Sequence, residues 1–247
     1  MNTVAIIPSR YFSTRLQGKP LIDIAGKPMV QRVYESAQKA QLVDQVIVAT
    51  DDRRILETVI GFGGKAELTS SSHLSGTDRI AEVADHLACD IVVNLQGDEP
   101  LIEPGLIDEV VGLVVDNPDI YMASAKSPIR QIEELVDTNV VKVVSDYDDY
   151  ALYFSRSPIP YCSTKDADVP APIGFKHIGL YVYRNEFLMK FVALKPSPLE
   201  RQEKLEQLRA LENGYRIKLV CTEYDSIGVD TSEDVELVIK RINKLGS

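Results

Sequence analysis

The sequence predicts an α/β protein with a Rossmann-like, mostly parallel sheet flanked by helices. Short runs of β-branched and apolar residues recur along the first half of the chain, as expected for strands covered on both faces. Segments with helical periodicity lie between these runs. Strand and helix in alternation favour parallel strands joined by helical crossovers.

The elements follow from this pattern in order. In the first half, strands are predicted at 3–7, 45–49 and 90–95, and helices at 29–40, 53–62 and 78–87. The second half is less regular, with strands predicted at 140–145, 152–155, 177–183 and 217–222. The Pro-rich stretch from Pro158 to Pro172 predicts a loop over a site or at an interface.

One helix of the second half has a strong start signal. Ser197 is the expected N-cap, Pro198 occupies the first helical position and Glu200 completes a capping box. The helix is predicted to stop at Asn213–Gly214. Its apolar stripe comprises Leu205, Leu208 and Leu211.

Composition narrows the class of protein. The chain has 247 residues, enough for one compact domain, and a net charge of −10 that argues against nucleic-acid and anionic-membrane partners. The cysteines Cys89, Cys162 and Cys221 have neither metal-ligand spacing nor a disulfide framework. No stretch resembles a membrane span, and a cytoplasmic location is expected.

Three cations follow the first predicted strand on one loop. Arg10, Arg15 and Lys19 are interleaved there with hydroxyl-bearing residues. Ligands of open parallel sheets lie beyond the carboxyl ends of the strands, so this loop could neutralise a triphosphate. From the residues alone, a solvated loop whose cations are spread apart is an equally good interpretation. The glycine fingerprints of P-loop enzymes and dinucleotide dehydrogenases are missing, which weighs against both.

Two aspartates are candidate Mg²⁺ ligands. Asp98 directly follows Gly97 after the third predicted strand, and Asp230 lies between the last strand and the last helix. Mg²⁺ is held by one or two carboxylates with substrate phosphates and water. A single strand-end aspartate is more often a helix cap or turn former, but two beside a cationic loop favour a metal site.

Small residues at 75–77 precede a predicted helix and could let the backbone approach a base. From the residues alone, an ordinary helix N-terminus capped by Thr77 or Asp78 is slightly favoured.

Together these segments resemble the 3-deoxy-manno-octulosonate (Kdo) cytidylyltransferases, a family with the nucleotide-diphospho-sugar transferase fold. The second half carries A-L-Y-F-S-R-S-P-I-P at 151–160, K-H-I-G-L-Y at 176–181 and L-E-Q-L-R at 205–209. The family usually has Ala in place of Ser9 and commonly Pro in place of Gln17. The other matching segments are 7–10, 13–16, 19–21, 75–79, 96–100 and 228–231.

The resemblance implies transfer of CMP from CTP to the 2-hydroxyl of Kdo, for lipopolysaccharide biosynthesis, by a Mg²⁺-dependent homodimer. It implies that Asp98 and Asp230 bind the metal ion, and that these two aspartates and Lys19 are the catalytic residues. The implied nucleotide contacts are Pro8, Arg10, Arg15, Lys19, Ser75, Gly76, Thr77, Arg79 and Gln96. The implied sugar contacts are Arg156, His177, Tyr181, Glu206 and Gln207.

The sugar contacts have ordinary alternatives. Tyr181 and His177 are typical core residues of a strand, and Glu206 is typical of a solvated helix face. Arg156 could pair with the sugar's carboxylate in a bidentate fork.

The expected organisation is a single nucleotidyltransferase domain over 1–247. Residues 1–125 are expected to bind nucleotide, 126–225 to bind sugar and to dimerise as a smaller lobe of mixed strands, and 226–247 to form a closing loop and helix capped by Ser232. Transfer to 8-amino-Kdo or another acidic sugar is the nearest alternative activity. A dinucleotide-dependent oxidoreductase and a non-catalytic nucleotide sensor are the alternatives of other classes.

Overall fold

The structure of the chain is a computed structural model that describes residues 1–12, 16–162, 172–225 and 227–245. The strands are β1 (Thr3–Ser9), β2 (Asp23–Ile24), β3 (Lys27–Pro28), β4 (Gln45–Thr50), β5 (Ala66–Leu68), β6 (Ile91–Leu95), β7 (Met122–Ile129), β8 (Lys142–Ser145), β9 (Ala151–Ser155), β10 (Gly174–Arg184) and β11 (Lys218–Cys221). The helices are α1 (Met29–Ala37), α2 (Arg53–Gly61), α3 (Gly76–Asp85), α4 (Pro104–Asp116), α5 (Ile132–Val136), α6 (Asn185–Ala193), α7 (Pro198–Glu203), α8 (Leu208–Glu212) and α9 (Ser232–Leu245).

Within these residues, nine strands form one central sheet, and its main path runs β11-β7-β10-β6-β1-β4-β5. Strand β1 pairs in parallel with β4 and β6, and β4 pairs in parallel with β5. Strand β10 runs antiparallel between β6 and β7, and β11 is parallel to β7. The predicted mostly parallel α/β sheet is confirmed.

An antiparallel pair, β8 and β9, leaves the main path in the region predicted to form the smaller lobe. It joins the sheet where Lys142 of β8 pairs with Lys176 of β10. The two-stranded sheet β2–β3 lies apart from the central sheet.

The sheet is covered on both faces, as the apolar strands require. Side chains alternate along a strand, so in β1 Ala5 and Ile7 join the core beneath α1, α2 and α4. Val4 and Ile6 join the opposite core, beneath α3 and α6. Four consecutive buried residues in one short strand therefore serve two separate cores.

The predicted strands and helices of the first half are confirmed with end shifts of a few residues. Helices α4 and α6 and strand β7 were not predicted. The single helix predicted from Pro198 to residue 212 is wrong. Helix α7 ends at Glu203, Lys204 adopts a left-handed conformation with φ 59°, and α8 begins at Leu208. The break does not disturb the predicted apolar stripe, because Leu205 and Leu208 are still buried.

The predicted cap of the last helix is displaced by one residue. Ser232 is the first residue of α9, and Thr231 accepts a hydrogen bond from Asp234 N with its hydroxyl at 3.3 Å. Asp234 in turn accepts from the backbone N–H groups of Thr231 and Asp230, at 2.8 and 2.9 Å. This reciprocal cap fixes the backbone of Asp230 at the start of the helix.

No helix in the described ranges is both long and apolar enough to cross a membrane.

Candidate active site

A cleft of about 360 Å³ lies where strands β1 and β6 end side by side. Seven of the predicted nucleotide and metal residues meet there: Pro8, Arg10, Lys19, Gly76, Arg79, Gln96 and Asp98. Arg15 lies outside the described residues, as do Ser13 and Thr14 of the same loop.

Asp98 and Asp230 meet on the ammonium of Lys19. The Nζ atom donates to Asp98 Oδ2 at 2.7 Å and to Asp230 Oδ1 at 3.0 Å. Lys19 and Asp98 line the cleft. The lysine side chain is 13% exposed, and those of Asp98 and Asp230 are 35% and 43% exposed. Residues separated by most of the chain therefore form one charged cluster, as the sequence predicted.

The backbone holds the two carboxylates in this arrangement. Asp98 O accepts a hydrogen bond from Val229 N at 2.9 Å, which joins the segment after β6 to the segment before α9. Gly97 lets the chain turn close to the first loop, because a Cβ atom there would lie 3.3 Å from both Pro8 O and Ser9 Oγ.

The pair of carboxylates fits Mg²⁺ rather than a site built from protein ligands alone. Among the residues described, no three His, Cys, Asp or Glu side chains are grouped so as to hold a metal ion. Two carboxylates that open on a cleft suit Mg²⁺, since phosphate oxygens and water complete its octahedron. The Lys19 ammonium, which contacts both carboxylates, marks a position between them that a cation can take.

The glycine at the predicted base loop packs directly on the first strand. A Cβ atom on Gly76 would lie 3.3 Å from Pro8 Cγ. Ser75 is the N-cap of α3, because its hydroxyl accepts from Asp78 N at 3.0 Å and its own N–H donates to the Asp78 carboxylate at 3.2 Å. The ordinary interpretation of this segment expected Thr77 or Asp78 as the cap, and neither residue has that position.

Arg79 lines the cleft, but its guanidinium donates mainly to other side chains of the protein. It is 1% exposed, and Nη2 donates to Asp51 Oδ2 at 2.9 Å while Nη1 donates to Thr69 Oγ1. These contacts tie α3 to the end of β4. Only Nε is buried without a hydrogen-bond partner in the described chain.

On the sugar side, His177 and Tyr181 come together at an irregularity in β10. In a regular strand, residues four apart are about 13 Å apart, yet the two ring centroids are 5.2 Å apart. The pairing of β10 with β7 shifts register between residues 178 and 181. Gly179, inside this bulge, leaves room for Gln96, whose Cγ would lie 3.3 Å from a Cβ atom there.

The tautomer of His177 follows from its neighbour. His177 Nε2 lies 2.8 Å from Ser124 Oγ, and that hydroxyl also lies 2.7 Å from Leu180 O and 3.3 Å from Ile178 O. Carbonyl oxygens only accept, so the serine donates to one of them and accepts from His177 Nε2–H. Burial lowers the pKa of His177 to about 3, so the ring is neutral and its Nδ1 is an acceptor.

Glu206 links the sugar side to the nucleotide side. Its Oε2 accepts from the Thr77 hydroxyl at the start of α3, and burial raises the pKa of this carboxyl. Glu206 and Gln207 lie in the break between α7 and α8 rather than on a helix face. Gln207 Nε2 is buried without a hydrogen-bond partner within the described residues, and Glu206 Oε1 has an ion-pair contact with Arg209 Nη2 at 3.7 Å but no hydrogen bond there. Buried polar atoms with unused hydrogen-bonding capacity are suited to bind a ligand.

Arg156 is held apart from this cluster. Its Nε donates to Glu203 O at 3.0 Å and its Nη1 to Thr138 O at 3.0 Å. In the part of the chain that the structure describes, no hydrogen bond or ring contact joins it to His177, Tyr181 or Glu206.

Three site residues were missed from the sequence. Asn94, which is 1% exposed, accepts from Gln96 Nε2 at 3.0 Å and lies 3.4 Å from Thr77 Oγ1. Ser124 sets the tautomer of His177, and Glu203 accepts from Arg156 N at 2.9 Å. A signal existed only for Asn94, the one polar residue inside an apolar strand.

This sheet and cleft, with a cationic loop beside two carboxylates, define the class of nucleotidyltransferases. The family model for cytidylyltransferases matches residues 4–218. The chain belongs to that family and, within it, to the 3-deoxy-manno-octulosonate cytidylyltransferases, as the following similarities show.

The chain is 54% identical to the 3-deoxy-manno-octulosonate cytidylyltransferase of Geobacter sulfurreducens, over 98% of this chain and all of that protein. It is also 54% identical to the enzyme of the same name from Geotalea uraniireducens, over 99% of this chain and all of that one. A solved structure of CMP:2-keto-3-deoxy-manno-octonic acid synthetase complexed with CTP shares 41% identity and a TM-score of 0.92, covering 99% of this chain and all of that one. The resemblance found in the sequence motifs is confirmed.

Proposed function

We propose that this enzyme transfers CMP from CTP to the anomeric 2-hydroxyl of Kdo, giving CMP-Kdo and pyrophosphate for lipopolysaccharide biosynthesis. The observation that carries the proposal is the meeting of Lys19, Asp98 and Asp230 at the cleft of a cytidylyltransferase. The names of the relatives favour Kdo over its 8-amino analogue.

In the proposed arrangement, CTP lies across the ends of β1 and β6. The cytosine lies against Ser75–Thr77, of which Gly76 lines the cleft, and the phosphates lie against Arg10 and Lys19. Arg15 is a third proposed phosphate contact. Positioning and electrostatic stabilisation supply the catalysis, as in other phosphoryl transfers.

The 2-hydroxyl of the sugar loses its proton to water and its oxygen attacks the α-phosphorus in line. A new oxygen–phosphorus bond forms, and the bond to the β-phosphate breaks as pyrophosphate leaves. Lys19 stabilises charge on the phosphate oxygens during this step. Asp98 and Asp230 would hold Mg²⁺, which would lower the pKa of the attacking hydroxyl and offset the phosphate charge. No protein side chain forms a covalent intermediate.

The sugar hydroxyls are proposed to bind to the acceptor Nδ1 of His177, to Oε1 of Glu206 and to Nε2 of Gln207. Burial raises the pKa of Tyr181 well above its ordinary value, so its hydroxyl remains a donor. Two N–H groups of the Arg156 guanidinium donate to backbone carbonyls. Arg156 is proposed to bind the carboxylate of the sugar with its remaining N–H groups.

Arg156 has a test of its own. Arg156→Ala is expected to raise the KM for Kdo and to leave the KM for CTP little changed in steady-state pyrophosphate assays. The exposed Arg130 serves as a control, since Arg130→Ala should change neither constant. A rise in the KM for CTP alone would reassign Arg156 to the nucleotide.

We also propose a cytoplasmic homodimer. The edge of β9 that faces away from β8 supports this. In the described sheet β9 pairs only with β8, and its Leu152 is 61% exposed. An open strand edge with an exposed apolar residue is suited to a second copy. The stretch from Pro158 to Pro172, of which residues 163–171 lie outside those described, follows β9 in the sequence and is the other proposed part of the interface.

Pyrophosphate release with each of the four nucleoside triphosphates, crossed with Kdo, 8-amino-Kdo and N-acetylneuraminate, tests the reaction. We expect turnover with CTP and Kdo and at most slow turnover with any other pair. Faster release with another triphosphate or another sugar would contradict the proposed substrates.

A further inference from the structure

The ammonium of Lys19 lies in the position that a metal ion would take between Asp98 and Asp230. It contacts one oxygen of each carboxylate, at 2.7 and 3.0 Å. Two carboxylates this close repel each other unless a cation lies between them. In the free protein, Lys19 is that cation.

The three side chains differ in how firmly their backbones are held. The backbone of Asp98 is bonded to Val229, and that of Asp230 to the carboxylate of Asp234. Lys19 instead begins a single 3-10 turn after Gly18, whose φ is 69°, and its ammonium ends a flexible four-carbon stem. The lysine is therefore the member of the cluster that can move without disturbing the fold.

A second partner for Lys19 lies along the same cleft. Arg10 is exposed and lines the cleft together with Lys19, so an anion bound against one cation is within reach of the other. A nucleotide's phosphates would draw the ammonium away from the aspartates. The two carboxylates would then lose the positive charge of Lys19, which favours binding of a divalent cation.

We propose that Lys19 is a placeholder cation that blocks the divalent-metal site of the free protein and vacates it when polyphosphate binds. Metal and nucleotide binding are then coupled through one side chain, so each raises the affinity for the other. This inference rests on the proposed function for the identity of the polyphosphate, but its central test concerns the protein without nucleotide.

Binding of Mn²⁺ to the free protein, measured by the loss of the free-ion signal in electron paramagnetic resonance, tests the placeholder. Lys19→Met and Lys19→Gln remove the charge, so both variants are expected to bind Mn²⁺ about ten-fold more tightly than the unaltered chain. Lys27→Met is the matched control, because Lys27 pairs with Glu35 elsewhere and its loss should leave Mn²⁺ affinity unchanged. Circular dichroism of each variant establishes that the chain is folded.

A double variant locates the bound ion. Adding Asp98→Asn to Lys19→Met should abolish the gain in Mn²⁺ affinity, because the vacated site then lacks one ligand. Unchanged or weaker Mn²⁺ binding in both folded Lys19 variants would overturn the proposal, as would a gain that persists in the double variant. If both Lys19 variants show the gain but the unaltered chain does not transfer CMP from CTP to Kdo, the proposed function is refuted and the placeholder stands.

Discussion

At the scale of single residues, a buried lysine holds the backbone of Arg156, one of the predicted sugar contacts. Lys142 is fully buried and its Nζ donates to the backbone carbonyls of Asp137, Val140 and Arg156, each at 2.6 Å. Burial lowers the pKa of this ammonium. Since Thr138 O, in the same turn, accepts from the guanidinium of Arg156, the lysine fixes both the backbone of Arg156 and one of the contacts of its side chain.

Lys142→Met is expected to lower the free energy of unfolding by about 3 kcal/mol, because three carbonyls lose their donor in the interior. Chemical denaturation measures the change. The exposed Lys195 is the control, and Lys195→Met should change stability by less than about 0.5 kcal/mol. An equally small change for Lys142→Met would show that the carbonyls find other donors.

His177 predicts a pH dependence of stability. Its pKa is about 3 in the folded chain, against an ordinary value of 6.5, so the unfolded chain binds the proton more readily. Stability therefore falls as the pH falls from 6.5 towards 3, by about 2 kcal/mol between pH 7 and pH 5 from this residue.

Denaturation at both pH values measures this loss. His177→Gln should remove it, whereas His86→Gln, at an exposed histidine, should retain it. The same acid sensitivity in His177→Gln as in the unaltered chain would contradict the assignment.

At the scale of elements, the bulge of β10 builds the site. It brings His177 beside Tyr181, exposes two carbonyls to Ser124 and places Gly179 against Gln96. One irregular stretch thus connects two of the predicted sugar contacts to the cleft between β1 and β6.

Gly179→Ala tests that connection. The new methyl group would lie 3.3 Å from Gln96 Cγ, so Gln96 must shift within the cleft. We expect kcat/KM for CTP to fall by about ten-fold in steady-state assays. Gly105→Ala is the control, because nothing lies near a Cβ atom there. Equal activity of the two variants would remove Gln96 from the nucleotide site.

The sequence predicted elements with a clear hydrophobic pattern, such as β1, β6 and α2, and it missed those with no local signal. A left-handed Lys204 is uncommon for a side chain of that kind, so nothing in the sequence marked the break between α7 and α8. Thr231 and Ser232 are both good N-cap residues, so the sequence did not decide between them, and in the structure Thr231 is the cap because it exchanges hydrogen bonds with Asp234. The carbonyls in the bulge of β10 contact Ser124, a residue of the neighbouring strand β7. The bulge could therefore not be predicted from the sequence of β10 alone.

At the scale of the whole molecule, the site forms where distant parts of the chain meet. Lys19 and Asp230 are 211 residues apart, and Thr77 reaches Glu206 across 129 residues. The convergence at the strand ends was predictable, because parallel strands bring their following loops to one edge. The family motifs supplied the sugar contacts, which physical reasoning alone treated as core or surface residues. The position of Arg156, held by Glu203 and Thr138, required the structure.

The central claim is that Asp98 and Asp230 together hold the ion on which CMP transfer depends. Pyrophosphate release from CTP and Kdo, measured at saturating Mg²⁺ for Asp98→Asn and Asp230→Asn, tests it most directly. The account predicts that kcat falls at least about 100-fold in each folded variant, while Asp119→Asn, at an exposed aspartate elsewhere, keeps full activity. A near-normal rate in either site variant would contradict it.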